Sequence, residues 1–202
     1  MTSPVLSKEA EESTALLYRT LGAHRTVIAG LKPRPISRLH HSSGTDAEQI
    51  QCQSTLVRLL SITEAFAAEL LLRETNVIAG RAGSTVVVTI ADNAGMRATN
   101  TWTDQRTAYQ KWFGISKAAV DWKVIETLAD ARNAVAHGLG TLTRRQKPDE
   151  ASIRKALAVL DIDLIGQKLV LSDAGLVAAT KGCAELVRQL DLGMQKRPAT
   201  YR

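Results

Sequence analysis

The stretch of residues 45–76 constrains the fold most, because its apolar residues recur every three or four positions over about nine helical turns. The tetrapeptide "TDAE" at 45–48 has the spacing of a capping box formed by Thr45 and Glu48. Residues 8–31 show similar spacing after Ser7, a suitable N-cap. Two helices of this length favour an antiparallel pair.

The rest of the chain predicts shorter helices and minor β structure. Helices are expected over 103–114, 119–137, 148–160 and 173–191, with N-caps at Thr103, Asp149 and Ser172. The segment "IDLIGQKLVLSD" alternates in polarity around Gly166, which predicts a small hairpin near the C-terminus. Residues 77–101 include "STVVVTI" between glycines, and we expect an insertion with a short strand or irregular segment. The predicted fold is all-α with these two β features.

We expect one domain over residues 1–202, and its composition is that of an ordinary globular protein with a basic surface. Hydrophobic residues make up 45% of the chain and charged residues 23%, which is common for folded domains. The formal net charge is +6. Basic residues concentrate in the linker that completes the N-terminal region 1–45, at 143–147 and in the tail 193–202. This charge permits a polyanionic partner, although solvated surface charge explains each cluster as well.

The sequence lacks the marks of a membrane, metal or cofactor site. Its most apolar run, residues 86–91, is far too short to span a bilayer, and the first residues lack the order of a signal peptide. Cys52 and Cys183 have no companion at metal-ligand spacing and are expected to be buried free thiols. No role is assigned to His24, His40 and His41. We therefore expect a cytoplasmic protein that needs no cofactor.

The heptapeptide "RNAVAHG" at 132–138 places several polar groups at the end of a helix. On a helix over residues 120–137, one face is apolar and carries Val124, Ile125, Leu128, Ala131 and Val135. The opposite side carries a polar stripe formed by Glu126, Asp130, Asn133 and His137, with Trp122 near one end. Arg132 lies at the flank of the apolar face. Its long side chain reaches the stripe past the helix end, or stays at the flank as a structural ion pair.

These residue types suit the cleavage of a phosphodiester without a metal ion. His137 would move the proton of the 2′-hydroxyl or of the leaving group, and Arg132 would stabilise the transition state with its fixed charge. Asn133 would fix the ring or bind a phosphate oxygen. Because such cleavage uses a base and an acid, a two-fold pair of these helices would supply a second histidine. The alternative is a polar cluster at a helix end without chemistry.

The same region resembles a known family. The segment "WKVIETLADARNAVAHGLGTLTRRQ" (122–146), preceded by "YQKWFGI", resembles the RiboL-PSP-type branch of the HEPN superfamily, in which RN-x3-HG closes a long helix. The hairpin "IGQKLVLSD" and the helix after it are similar to that branch. The resemblance covers roughly 100–192 and is weak before that. It implies a HEPN-like helical bundle, homodimerisation through the motif helix and metal-independent ribonuclease activity.

The resemblance also assigns roles by position. It makes Arg132 and His137 the catalytic pair and Asn133 their polar supporter. RNA contacts are expected from the residues that follow, namely Thr143, Arg144 and Arg145, with a mobile loop as the alternative. Two carboxylates, Glu126 and Asp130, are supporting candidates, although a solvated face or salt bridges to the dimer mate would explain them as well.

Members of this family commonly act as toxins, in phage defence or in RNA processing, so an antitoxin or defence-system protein is a further partner to expect. Toxins controlled by nucleotidyltransferase antitoxins carry a tyrosine two residues after the histidine, where this chain has Leu139. Control by modification at that position is therefore not expected. The other functions left open are a non-catalytic RNA-binding or regulatory module and a helical scaffold subunit of a larger complex.

Overall fold

The computed structural model describes residues 5–31 and 47–197. Its helices are α1 (Lys8–Gly30), α2 (Ala47–Arg81), α3 (Thr85–Ala98), α4 (Trp102–Phe113), α5 (Trp122–Gly138), α6 (Glu150–Ala158) and α7 (Asp173–Gln195). A short 3-10 helix, Lys147–Asp149, precedes α6. The strands β1 (Asp163–Ile165) and β2 (Lys168–Val170) pair antiparallel. The fold is therefore all-α with a small hairpin near the C-terminus, as the sequence predicts.

Several helix boundaries confirm the sequence patterns that predict them. The hydroxyl of Ser7 accepts the N–H of Ala10 at 3.2 Å at the start of α1. The hydroxyl of Ser172 accepts the N–H of Gly175 at 3.1 Å at the start of α7. Asp149 occupies the N-cap position of α6, but its side chain makes no capping hydrogen bond. The basic linker up to residue 45, Thr45, His40, His41 and most of the basic tail lie outside the described residues.

The predicted cap of α4 is wrong by two residues. Thr101, not Thr103, has the extended backbone of a cap, with φ −138°, and its hydroxyl accepts the N–H of Asp104 at 3.1 Å. Thr103 lies inside the helix, where its backbone carbonyl accepts the hydroxyl of Thr107 at 2.8 Å. Both threonines precede a helical pattern, so the spacing to Asp104 decides which one caps.

The prediction of a strand or irregular insertion within residues 77–101 is also wrong. Helix α2 continues to Arg81, and "TVVVTI" forms the first turns of α3. β-branched residues lower helix propensity by only a few tenths of a kcal/mol each, so packing decides their structure. Helix α3 approaches α2 closely at a glycine: a Cβ added to Gly95 would lie 2.7 Å from a methyl group of Leu72 on α2. This close approach favours a helical hairpin over a strand.

The chain divides into two compact units, each assembled from separate stretches of sequence. The first unit consists of the described residues up to Ala15, of Ser61–Glu126 and of the described residues from Cys183 onward. Its core contains a cluster of aromatic rings: the Tyr109 ring lies 6.2 Å from that of Phe113 and 6.0 Å from that of Trp122. The Tyr109 hydroxyl donates to the carbonyl of Ala67 at 2.6 Å. Burial raises the pKa of the Cys183 thiol to about 12, so that this thiol stays protonated.

The second unit consists of the described residues of Leu16–Leu60 and of Thr127–Gly182. Its buried core is aliphatic and is formed mainly by leucines, among them Leu17, Leu56, Leu128, Leu157, Leu169 and Leu176. Gln49 holds the hairpin to α2, because its side-chain amide donates to the carbonyl of Leu171 at 2.7 Å and accepts the Leu171 N–H at 2.9 Å. Arg154 on α6 donates to the carbonyls of Leu164 and Gly166. The hairpin is thus fixed from two sides.

Candidate nucleic-acid site at the end of α5

The chain reverses direction immediately after His137. Leu139 and Gly140 both adopt left-handed backbone conformations, with φ of 51° and 84°. The N–H of Gly140 donates to the carbonyl of Ala134 at 3.0 Å, which satisfies an otherwise open helix end. A Cβ at Gly140 would lie 2.7 Å from the side-chain nitrogen of Gln53. Glycine at this position therefore allows both the turn and the close contact with α2.

The residues after the turn join the hairpin as a short additional edge. The N–H of Leu142 donates to the carbonyl of Gln167 at 2.9 Å, and the N–H of Leu169 donates to the carbonyl of Gly140 at 2.8 Å. Leu142 and Leu169 are both buried. The exit from α5 is therefore anchored by backbone hydrogen bonds on one side and by apolar packing on the other.

Gln146 fastens the following loop to α5. Its side-chain nitrogen donates to the backbone carbonyl of Asp130 at 2.8 Å and to the carboxylate at 3.3 Å. Its side-chain oxygen accepts the N–H and the hydroxyl of Thr143 at 3.1 and 3.0 Å. All side-chain groups of this buried glutamine are thus engaged. Gln146 therefore links the loop to α5 through both ends of its side-chain amide.

The hydrogen bonds of Gln146 determine which side chains of the loop are available to RNA. Thr143 is half-buried, and its hydroxyl is used internally by Gln146. Arg144 and Arg145 are exposed and make no hydrogen bond or ion pair with any other residue that the structure describes. The two guanidinium groups are free to meet an anion, whereas Thr143 has a structural role that does not depend on RNA.

The three predicted catalytic residues differ in accessibility. His137 is exposed in the last turn of α5, and Asn133 is half-buried one turn earlier on the same side. Arg132 is half-buried and makes a contact of its own within the described residues. The helix therefore brings Asn133 and His137 to one surface, and it does not bring Arg132 to that surface by helical geometry.

The two supporting carboxylates both have structural partners. Glu126 forms an ion pair with Arg106 on α4. Asp130 accepts from Gln146, and its pKa lies above the ordinary value mainly because burial disfavours the charged form; the hydrogen bond from Gln146 opposes this shift, and the nearby Asp149 adds to it. Both carboxylates therefore have partners within the chain, whereas the sequence alternatives were a solvated face or salt bridges to a dimer mate.

Trp122 is not part of an exposed polar stripe. It is buried, with its ring packed against Tyr109 in the first unit. The helical projection correctly places Trp122 on the side of Glu126, but α4 packs over this end of α5: Tyr109 contacts Trp122, and Arg106 pairs with Glu126. Trp122 therefore belongs to the core.

Sequence reasoning missed Gln146, although a signal for it exists. The segment "TRRQ" has the Thr-x-x-Gln spacing of a capping box, and the structure shows its reciprocal hydrogen bond between the Gln146 side chain and the Thr143 N–H. The two arginines between Thr143 and Gln146 make the segment resemble a simple basic cluster, which hides the spacing of the capping box. Two basic residues at the tip of a capped turn face outward as a consequence.

Comparisons with models of protein families, with curated proteins and with solved structures found no match to the chain. Within the described ranges, no group of three or more His, Cys, Asp or Glu side chains is arranged to hold a metal ion. None of the helices in those ranges has the length and apolar character needed to cross a bilayer.

Proposed function

We propose that this protein is a metal-independent endoribonuclease of the HEPN type, acting in the cytoplasm as a toxin or as an effector of phage defence. One observation carries the proposal: His137 is exposed at the end of α5, next in sequence to a clamped loop whose Arg144 and Arg145 are free. Free guanidinium groups bind phosphate oxygens, and an accessible imidazole transfers protons near neutral pH.

The proposed reaction is an intramolecular transesterification of RNA. His137 accepts the proton of a 2′-hydroxyl while that oxygen bonds to phosphorus, and the bond from phosphorus to the 5′-oxygen breaks. An imidazolium returns a proton to the departing 5′-oxygen. The products are a 2′,3′-cyclic phosphate and a 5′-hydroxyl, and no metal ion or oxidant is consumed. Asn133 supports this step by holding the imidazole or a phosphate oxygen.

The position of Arg132 argues for a site made by two chains. This guanidinium does not share the surface of His137 within one helix, and one helix offers a single histidine where both an acid and a base are useful. A homodimer with two-fold symmetry through α5 supplies a second His137 and a second Arg132 to the same region. The dimer is therefore part of the proposal.

The decisive experiment measures cleavage of a labelled single-stranded RNA by the purified protein in excess EDTA. We expect products with 2′,3′-cyclic phosphate ends, and a loss of rate of about 100-fold or more in His137→Ala, which is the range for a proton-transferring residue. Arg132→Lys keeps the charge and removes the planar fork, so it should also cleave slowly. Lys155→Ala, an exposed change on α6, is the matched control. Cleavage by His137→Ala at the wild-type rate would refute the proposal.

A second candidate function is RNA binding without turnover. The observation that favours it is the engagement of Arg132, Glu126 and Asp130 in contacts within the fold, which leaves His137 as the accessible proton carrier among the candidate residues of α5. In that case the same assay would show an RNA complex whose affinity falls in Arg144→Ala/Arg145→Ala, with no cleavage by any variant. Growth after induced expression distinguishes the candidates in cells, because only a nuclease should be toxic in a His137-dependent manner.

A further inference from the structure

A cavity of about 380 Å³ lies in the second unit, between α1 and the first half of α2. It is lined by Leu16, Arg19, Thr20, Ala23, His24, Val27, Gln51, Ser54, Thr55 and Arg58. No residue of the α5 site takes part in it. Its volume is in the range of pockets that hold small organic ligands.

The charge of the cavity is one-sided. Arg19 and Arg58 are exposed, and neither makes an ion pair or a hydrogen bond with the rest of the described chain. No acidic side chain is among the lining residues. Other arginines of the described chain pair with acids, for example Arg25 with Asp173 at 2.7 Å, whereas Arg81 and Arg97 lack a side-chain partner there but do not line this cavity. Two unneutralised guanidinium groups at one cavity favour an anionic occupant.

A buried hydrogen-bonded pair, His24 and Thr55, lies at the cavity. The Thr55 hydroxyl donates to the carbonyl of Gln51 at 2.8 Å, so its oxygen accepts from Nδ1 of His24 at 3.0 Å. This assigns the proton of a neutral His24 to Nδ1, while Nε2 lies 4.0 Å from the Sγ of Cys52. His24, Thr55 and Cys52 are all buried.

The His24–Thr55 hydrogen bond joins the two helices that carry the arginines. Arg58 follows Thr55 by three residues, about 4.5 Å along α2, and Arg19 precedes His24 by five residues, about 7.5 Å along α1. Arginine side chains are long enough to bring both guanidinium groups to one ligand over these distances. Each helix therefore contributes one arginine to the lining of the same cavity.

We propose that this cavity binds a phosphate monoester carried on a small organic group. A phosphate dianion matches two guanidinium groups in charge and offers enough oxygens for two planar forks. Ser54 and Gln51 supply further polar groups, and Leu16, Ala23 and Val27 supply an apolar wall for the organic part. A bare phosphate ion would fill only part of the volume. This proposal does not depend on the ribonuclease.

Calorimetric titration of the full chain with phenyl phosphate, inorganic phosphate, benzoate and phenol tests the proposal. We expect phenyl phosphate to bind with a Kd below about 1 mM, more tightly than inorganic phosphate or benzoate, with phenol not binding. Arg19→Ala/Arg58→Ala should weaken phenyl phosphate by at least about tenfold, because each lost guanidinium removes a charged hydrogen bond. Arg81→Ala/Arg97→Ala removes the same charge from exposed positions in the first unit and should bind as the wild type does.

Three results would overturn the proposal. The first is an equal affinity for phenyl phosphate in both double variants, which would show general charge attraction. The second is no measurable binding to the wild-type protein at millimolar phenyl phosphate. The third is binding of a short RNA that depends on Arg19 and Arg58 while phenyl phosphate does not bind, which would assign these arginines to RNA. Equal thermal melting of the two double variants excludes misfolding as the cause of lost binding.

Discussion

At the scale of single residues, Leu139 after α5 is poorly suited to its backbone conformation. Leu139 has a left-handed backbone, with φ of 51°, and is 94% exposed. A residue with a Cβ loses about 1–2 kcal/mol in this conformation, whereas asparagine tolerates it better. The leucine side chain offsets little of this cost, because it is almost entirely in solvent. Stability of the isolated chain does not explain why a leucine stands here.

This strain predicts a stabilising substitution. We expect Leu139→Asn to raise the free energy of unfolding by roughly 0.5–1 kcal/mol, measured by urea denaturation. Leu139→Ala is the matched control: it removes the same exposed side chain but keeps a Cβ without the local hydrogen bonding of asparagine, so its stability should stay within about 0.5 kcal/mol of the wild type. If alanine and asparagine behaved alike, backbone strain at this residue would be the wrong explanation.

At the scale of elements, the loop after α5 contains residues with two different roles: Gln146 stabilises the fold, and Arg144 and Arg145 are proposed to bind RNA. Gln146→Ala leaves the Asp130 carbonyl and the Thr143 N–H without their partner, so we expect a loss of about 1–3 kcal/mol in the free energy of unfolding. Arg144→Ala/Arg145→Ala should change stability by less than about 0.5 kcal/mol, because both side chains are exposed and unpaired in the described chain.

In RNA binding we expect the opposite pattern, with a clear effect of the arginine double variant that its stability does not show. The arginine double variant should lower the slope of log affinity against log salt by about 1.4, because about 0.7 is lost for each phosphate contact to a single strand. Arg81→Ala/Arg97→Ala carries the same net charge and should keep the wild-type slope. Denaturation by urea and filter binding at several salt concentrations measure the two effects separately. An unchanged slope in Arg144→Ala/Arg145→Ala would show that this loop does not contact RNA.

The elements also show what the sequence could and could not predict. Helical periodicity predicted α1, α2, α4, α5, α6 and α7, and polarity alternation predicted the hairpin, because these signals are local and repeated. The run "TVVVTI" misled because its β-branched residues have a weak preference, and the choice was made by Gly95 packing on Leu72, a contact far apart in sequence. The surroundings of the α5 site depend on similar distant contacts, such as that of Gln53 with Gly140, which no single segment encodes.

At the scale of the whole molecule, the positive charge is used differently in different regions. Some arginines stabilise the fold through acids, as Arg197 does with Glu74. Others, in the α1–α2 cavity and in the loop after α5, have no acidic partner among the described residues. A net charge of +6 is therefore not spread as a uniform solubilising surface. Both proposed anion sites rest on such pairs of arginines, so the double variants Arg19→Ala/Arg58→Ala and Arg144→Ala/Arg145→Ala test them separately, with the exposed Arg81 and Arg97 as the control pair.

The proposed ribonuclease also makes a prediction for the assembled molecule, since one chain presents one accessible histidine at the end of α5. We first expect sedimentation to show a dimer. If each site uses the His137 of both chains, a dimer with one His137→Ala subunit is inactive. After random exchange of equal amounts of wild-type and His137→Ala subunits, about one quarter of the dimers are wild-type and active.

A site complete within each chain gives a different result, because every wild-type subunit then stays active and about half of the cleavage rate remains. Mixing with Lys155→Ala subunits under the same conditions controls for losses during exchange and should leave the full rate. Half activity, or a monomer that cleaves at the full rate, would contradict the two-histidine site and require Arg132, Asn133 and His137 of a single chain to complete the chemistry.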